Sequence, residues 1–147
     1  MTFLSLLVVA HIAALLGWLV LIGGLSWRLL RASRTSVAPL ESLDRFFTQG
    51  LPVVAILVVT GVLLFNTGFH SIDTVPRYVQ FTIGLYVASL ALGLRLGLLQ
   101  RPALQRAIDA NDLPMMRQIT FRIAQVTATL TLLSLAIIFA VIYMPGA

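Results

Sequence analysis

The sequence predicts an all-α integral membrane protein whose 147 residues form a single transmembrane domain, a four-helix up-down bundle. Composition is the first reason: 59% of the residues are hydrophobic, 10% are charged, and the mean hydropathy is +1.00. Ordinary soluble domains have roughly 45–50% apolar and about 25% charged residues. The second reason is that four apolar stretches are joined by short connections, which favours alternating helices. Helices also satisfy their own backbone in lipid, so we expect no strands.

The first two helices are predicted over about 3–25 and 42–65. Residues 3–25 are apolar for longer than the core of a secretory signal, and no basic residue precedes them, so we expect a retained helix. The apolar part of the second helix, 51–65, is shorter than the roughly 20 residues that cross a bilayer. An amphipathic lead-in from Ser42 makes up the difference, and Pro52 is a predicted kink.

The third and fourth helices are predicted over about 78–99 and 113–144. The third is mostly apolar along its whole length. The fourth begins before the bilayer, because Asp112 can cap a helix that carries Pro114 in its first turn. Both stretches are long enough to span the hydrocarbon core of a membrane.

All ten basic residues are Arg, and their placement predicts the orientation of the chain. Nine flank loops 1 and 3, whereas Arg77 alone flanks loop 2, and arginine-rich loops stay in the cytoplasm. We therefore expect a multi-pass protein of the cell (inner or plasma) membrane with both termini outside the cytoplasm. The arginines interrupt apolar runs instead of gathering on a solvated face, so the lipid bilayer is an expected partner and nucleic acid is not. The nine are Arg28, Arg31, Arg34, Arg45, Arg95, Arg101, Arg106, Arg117 and Arg122.

Candidate chemistry centres on His11, the one ionisable residue of its apolar stretch. An ionisable residue inside a membrane faces the bundle interior or a cavity and is a functional candidate by default. Helical spacing puts His11 on one face with Ala14 and Trp18, beside small residues that let another helix or a flat macrocycle approach. The alternative is a structural histidine that is hydrogen-bonded to a neighbouring Ser, Thr or carbonyl group.

The possible metal sites are few, because the chain has no Cys and no acidic residue in the apolar part of a span. These helices cannot assemble a conventional zinc or di-iron site. Haem b needs one imidazole and an apolar pocket, so its predicted binding residues are His11, Ala14 and Trp18. His70 of the outward loop is a candidate second metal ligand, or else a solvated loop histidine. Arg77, at the start of helix 3, can hold a haem propionate, or else anchors the helix at the interface.

Three further patterns have both a functional and a structural interpretation. Helix 4 carries two polar rows that can line a pathway, or whose hydroxyls bond back to the preceding turn. Helix 3 carries a ridge of small residues that suggests close packing and a homodimer. The polar rows are Arg122, Gln125 and Thr129, and Thr127, Thr131 and Ser134; the ridge is Ser89, Gly93 and Gly97.

Three stretches of the chain resemble a superfamily of small membrane proteins. They are AHIAALLGWLVLIGGL, RFFTQGLPVVAILVVTGVLL and FRIAQVTATL, the last with Gln125 in place of an Asn. The superfamily contains HemJ-type protoporphyrinogen oxidase, copper resistance protein D and related uncharacterised integral membrane proteins. The resemblance spans most of the chain and implies a helical bundle in which the first-helix histidine, here His11, binds haem b.

The resemblance also implies features that this chain lacks. HemJ-type proteins rely on a Lys early in the third helix, where this sequence has residues 78–82, YVQFT. Copper resistance protein D is thought to pass copper through the membrane, but no Met-rich or multi-His route is present here. We therefore expect the bundle and the haem site, but not protoporphyrinogen oxidation.

Three functions follow as alternatives. The first is a haem b protein that exchanges electrons with a quinone or another redox partner. The second is a transporter of copper or another small solute that uses the polar rows of helix 4. The third is a non-catalytic subunit of a larger membrane complex, packed through Gly93 and Gly97.

Overall fold

The computed structural model describes residues 2–68 and 75–143, which are largely helical and contain no strand. It confirms the all-α fold, with four helical spans that are long and apolar enough to cross a membrane. The third span is divided by a π-helical turn. In order, the helices are α1 (Phe3–Arg31), α2 (Ala38–Gly68), α3 (Arg77–Arg95), α4 (Arg101–Asp109) and α5 (Leu113–Tyr143), with the π turn over Leu96–Gln100.

Helices α1 and α2 are longer than predicted, because they continue beyond the apolar stretches. Helix α1 runs on from residue 25 to Arg31, and its last turn carries two arginines, which suit the negative end of the helix dipole. Helix α2 begins at Ala38 rather than Ser42, with Pro39 in the first turn, where a missing N–H costs nothing. It then continues through Pro52.

The predicted end of the third span at residue 99 is wrong. The helical rod continues through the π turn into α4, which ends at Asp109. Pro102 lies in the first turn of α4, where a proline lacking an N–H is tolerated, whereas in an unbroken α-helix its ring would clash with the preceding turn. The wider π turn comes directly before it. Helix α5 begins as predicted, and Asp112 Oδ1 accepts a hydrogen bond from the Met115 backbone N–H at 3.3 Å.

The helices pack in the order α2, α1, α5, α3, since α1 contacts α2 and α5 and α3 contacts α5. Helix α2 meets the third span at the π turn, where the Phe47 ring lies against Gly97. The short helix α4 packs on α5. Many large apolar side chains along the spans are exposed on the outer surface, as expected for contact with lipid.

One end of the bundle holds most of the buried core together with the termini of the arginine-flanked loops; we call it the arginine-rich end. Arg101 pairs with Asp44 at 2.8 Å between Nε and Oδ1, which joins α4 to α2. The guanidinium of Arg34 lies 5.3 Å from the ring centre of Phe121, so loop 1 also contacts the start of α5. The core there includes Ile22, Leu25, Leu29, Leu43, Phe46, Leu96, Leu104, Ile119 and Ile123.

Candidate functional site

His11 lies in α1 near the end of the bundle opposite the arginine-rich end, and its imidazole faces α2. Its Nδ1 is 2.8 Å from the Thr60 hydroxyl oxygen. A Cβ atom at Gly61 would lie 3.4 Å from Cε1 of His11, so the ring packs over the space that this glycine leaves. The imidazole is therefore held between α1 and α2 by one hydrogen bond and one close packing contact.

The hydrogen bonds of Thr60 assign the tautomer of His11. The Thr60 hydroxyl donates its single proton to the Ile56 carbonyl, with the two oxygens 2.6 Å apart. Its oxygen can then only accept from His11, so Nδ1 carries the proton in the neutral imidazole. The lone pair is left on Nε2, the nitrogen that is free to bind a metal. The structural alternative for His11, a bond to a neighbouring threonine, is thus what the structure shows, and it leaves one ligand atom available.

The other residues predicted beside His11 have different surroundings. Ala14 is buried in the bundle. Trp18 is two turns further along α1 and donates its indole N–H to the Ser134 hydroxyl of α5 at 3.0 Å. Its ring lies 5.4 Å from the Phe46 ring and contacts the space over Gly50. Trp18 therefore contacts a second region of α2, nearer to the arginine-rich end than the region that His11 contacts.

Two further candidates, Arg77 and His70, were predicted on the outer side of the membrane. The structure describes no contact between Arg77 and His11. Arg77 is the first residue of α3 and is exposed. His70, the candidate second ligand, lies outside the described residues. The roles of Arg77 in holding a propionate and of His70 in binding a metal stay predictions.

The polar rows of helix 4 lie on α5, and their hydroxyls bond as the structural interpretation predicts. Thr127, Thr131 and Ser134 each donate to a carbonyl of the preceding turn, and Ser134 also accepts from Trp18 of α1. Thr131 is also 3.2 Å from the Ser26 hydroxyl of α1. The other row is exposed on the outer surface, and Thr129 there donates to the Gln125 carbonyl. Hydrogen bonds between and within helices therefore account for these hydroxyls.

The ridge of small residues lies on α3 and on the π turn that follows it, along the groove between the third span and α2. Ser89 donates to the Leu85 carbonyl, and Gly97 packs on Phe47, whose Cζ would be 3.2 Å from a Cβ at that position. No atom lies within 4 Å of the Cβ position of Gly93. Part of the ridge thus packs against α2 of the same chain. A homodimer formed through the ridge stays a prediction.

Sequence reasoning missed Thr60 and Gly61, the two residues of α2 that hold the imidazole. The signal was a Thr-Gly pair inside an otherwise apolar half of the second helix. Helical periodicity could place His11 on an inward face, but it could not show which neighbouring helix would meet it.

Other metal donors near His11 are few. The chain has no Cys, and the described residues contain no group of three or more His, Cys, Asp or Glu side chains that could hold an ion. Met115 and Met116 are at the start of α5, at the opposite end of the bundle from His11. The described residues therefore offer one imidazole nitrogen and no ready-made chelate.

The copper resistance protein D family matches residues 40–144, from the first turn of α2 to the end of α5. His11 and the rest of α1 precede the matched segment. No curated protein and no solved structure was found to match the chain. Because the match covers most of the chain, this multi-pass membrane protein belongs to the copper resistance protein D family.

Proposed function

We propose that this protein moves copper through the membrane, with Nε2 of His11 as a ligand that holds the ion during its passage. The observation that carries this proposal is the hydrogen bond from Nδ1 of His11 to Thr60. In metal-binding histidines, the ring nitrogen that does not bind the metal characteristically donates its N–H to a fixed acceptor. This hydrogen bond orients the ring and raises the basicity of the ligand atom. Imidazole is a suitable ligand for copper, and the family points to this metal.

The small number of metal-donor side chains near His11 favours copper transfer over copper storage. A tight copper site uses several soft or imidazole ligands, whereas the described residues place His11 alone at this position. One ligand that binds weakly allows an ion to enter and also to leave, as conduction requires. We therefore treat copper as cargo and not as a permanently bound cofactor.

The direction of the pathway follows from the positive-inside rule. We place the arginine-rich end in the cytoplasm and both termini outside it, in the cell membrane. His11 then lies in the outer half of the bilayer. Reporter domains fused to the termini and inserted after Arg34 test this placement, and a cytoplasmic signal from either terminus contradicts it.

Copper flux into vesicles tests the main proposal. The purified protein is reconstituted into lipid vesicles loaded with a dye that chelates Cu(I), and Cu(I) is added outside. We expect flux above that of empty vesicles and its loss in His11→Asn. In that variant the side-chain amide N–H can still donate to Thr60, but no lone pair replaces Nε2. Flux that is unchanged in His11→Asn contradicts the proposal.

Haem b is the second candidate, because the hydrogen bond from Nδ1 to Thr60 leaves Nε2 of His11 as an available ligand atom. Nε2 of His11 would hold a bound haem b, which would supply one-electron chemistry to a quinone or another redox partner. The HemJ-type reaction is not included, because the chain contains no Lys.

An absorption spectrum separates the two candidates. Protein purified from haem-replete cells has a Soret band if it binds haem, and His11→Asn then abolishes the band. A change of coordination in His70→Ala identifies His70 as the second ligand. Colourless protein contradicts the haem candidate, and colourless protein without copper flux contradicts both and favours the non-catalytic subunit.

A further inference from the structure

Two arginines, one at the end of α1 and one in loop 1, are held against aromatic rings. The guanidinium carbon of Arg31 lies 4.5 Å from the ring centre of Trp27, one turn earlier in α1. The guanidinium carbon of Arg34 lies 5.3 Å from the ring centre of Phe121 in α5. Both arginines and both rings are exposed. We call these four residues the stacked-arginine site.

Hydrogen bonds fix the turn of loop 1 that carries Arg34. The Ser33 carbonyl accepts from the backbone N–H of Ser36 at 3.3 Å and from the Ser36 hydroxyl at 2.8 Å. The Ser36 hydroxyl oxygen in turn accepts from the backbone N–H of Ala38 at 3.3 Å. Because this turn is already ordered, a ligand that binds Arg34 does not have to order the backbone as well.

Stacking leaves the hydrogen-bond donors of both guanidinium groups available. A ring covers the face of a guanidinium, whereas its five N–H groups point outward in its plane. Within residues 2–68 and 75–143, neither Arg31 nor Arg34 has an ion pair or a side-chain hydrogen bond. A planar fork of this kind binds the oxygens of a phosphate group through two N–H donors at once.

The acidic residues of the arginine-rich end leave its positive charge in excess. Asp44 pairs with Arg101. Asp109 accepts a hydrogen bond from the side-chain amide of Gln105, and Asp112 caps α5. Nine arginines flank the loops of this end, against four acidic residues. The surface around the stacked-arginine site therefore attracts an anion.

The apolar surface beside the site continues the outer side of α1. Val20, Trp27 and Leu30 are strongly exposed, and their helical spacing places them on one side of the helix. Val20 lies within the apolar span, where an exposed side chain contacts lipid. Trp27 and Leu30 extend this surface to the last turn, at the level where tryptophan rings meet the headgroups. An anion that reaches Arg31 along this surface is one that carries an apolar chain.

We propose that the stacked-arginine site binds the headgroup of an anionic phospholipid. Arg31 donates to the phosphate oxygens, Arg34 adds a second positive charge three residues away, and an acyl chain lies along Trp27 and Leu30. An acidic peptide would use the positive charge but not the apolar surface beside it. The site does not include His11, so it stands independently of the proposed copper transport.

Trp27 reports which lipid occupies the site, because it is part of the site. In a Trp18→Phe background, Trp27 is the remaining tryptophan. The protein is reconstituted into vesicles of phosphatidylcholine and phosphatidylglycerol, with bromine atoms on the acyl chains of one lipid or of the other. Bromine quenches tryptophan fluorescence at short range, so the two sets of vesicles give the relative affinity for the two lipids. We expect phosphatidylglycerol to be preferred by at least about fivefold, the factor that one basic residue near an anionic membrane surface contributes.

Arginine variants separate this site from the general charge of the protein. Arg31→Gln/Arg34→Gln should lose most of the preference. Arg45→Gln/Arg106→Gln has the same net charge and removes two exposed arginines that have no described ring contact, so it should keep the preference. Arg31→Lys/Arg34→Lys keeps the charge but not the planar fork, so it should give an intermediate value. Each preference is a ratio within one variant, so a change in the brightness of Trp27 cancels.

The outcomes separate a lipid from other anions. Equal preferences in the two glutamine variants overturn the proposal, because the total charge then decides the preference. Equal quenching by the two brominated lipids in the Trp18→Phe protein also overturns it and leaves the arginines to an acidic protein segment. Excess inorganic phosphate, compared with sodium chloride of equal ionic strength, should not reduce the preference. A reduction would overturn the assignment to a lipid and identify free phosphate as the ligand.

Discussion

Helix α2 meets its two neighbours within the membrane in different ways. Against α1, the His11 ring occupies the space over Gly61, and its Nδ1 proton is bound by Thr60. Against α3, the space over Gly93 is empty within 4 Å, and the Tyr86 hydroxyl has no described partner. A glycine in a membrane helix thus marks a place of possible close approach. The side chain on the facing helix decides whether a packed contact or a cavity forms there.

Filling the space at Gly61 should have the largest effect, because the His11 ring already occupies it. In Gly61→Leu the new side chain and the imidazole compete for the same volume, and overpacking of this kind costs about 1–3 kcal/mol. We expect this loss in the free energy of unfolding, measured by titration with a denaturing detergent. Copper flux or haem retention, whichever of them depends on His11, should be lost as well.

Two variants serve as controls for Gly61→Leu. Gly61→Ala adds a Cβ at 3.4 Å from Cε1 of His11, an ordinary contact distance, so it should be nearly neutral. Gly84→Leu introduces the same leucine where no atom lies within 4 Å. If Gly61→Leu is as stable as Gly84→Leu, the imidazole is not packed against α2 as described.

Removing the acceptor of the His11 proton should have the next largest effect. Thr60→Val keeps the size of the side chain but cannot accept from Nδ1, so the imidazole loses its orientation and its preferred tautomer. Loss of such a supporting partner typically lowers metal affinity by about 10- to 100-fold. Copper flux at low ion concentration, or haem retention during purification, measures the change.

The variant Thr60→Ser, which keeps the hydroxyl and loses only the methyl group, separates this effect from packing. It retains a hydroxyl that can accept from His11 and should recover most of the lost affinity. Equal activity in Thr60→Val and the wild type would show that the tautomer of His11 is not set by Thr60.

The sequence predicts the inward face of α1 but not the contacts that this face makes. Helical spacing places His11 and Trp18 on one side, because it depends on neighbours within a few residues. Their partners Thr60 and Ser134 are far away in the chain, and only the packing of whole helices brings them together. The ridge on α3 shows the same limit, since small residues suit a contact within one chain as well as one between two.

Helix ends were predicted less well than helix positions, for a related reason. Hydropathy marks where a helix leaves the membrane, whereas hydrogen bonding and local residue preferences decide where it ends. Helix α1 therefore continues to Arg31, and the third span continues past residue 99 to Asp109. The start of α5 was predicted correctly, because Asp112 provides a local capping signal.

The hydrogen bond between Trp18 and Ser134 should have a smaller effect than either change at the α1–α2 contact. It joins α1 to α5. Hydrogen bonds between membrane helices average about 0.6 kcal/mol in double-mutant cycles. A cycle of Trp18→Phe and Ser134→Ala, measured as the free energy of unfolding, should give a coupling energy of this size. A coupling near zero would mean that Ser134 does not accept from the indole.

The smallest effect is expected at the ion pair between Arg101 and Asp44, which lies outside both compared contacts. The two side chains are 37% and 48% exposed, and pairs of this kind contribute about 0–1 kcal/mol because water screens them. Asp44→Asn should therefore leave the free energy of unfolding and copper flux close to those of the wild type. A clear loss of stability in Asp44→Asn would instead show that this pair holds α2 against the rod formed by α3 and α4.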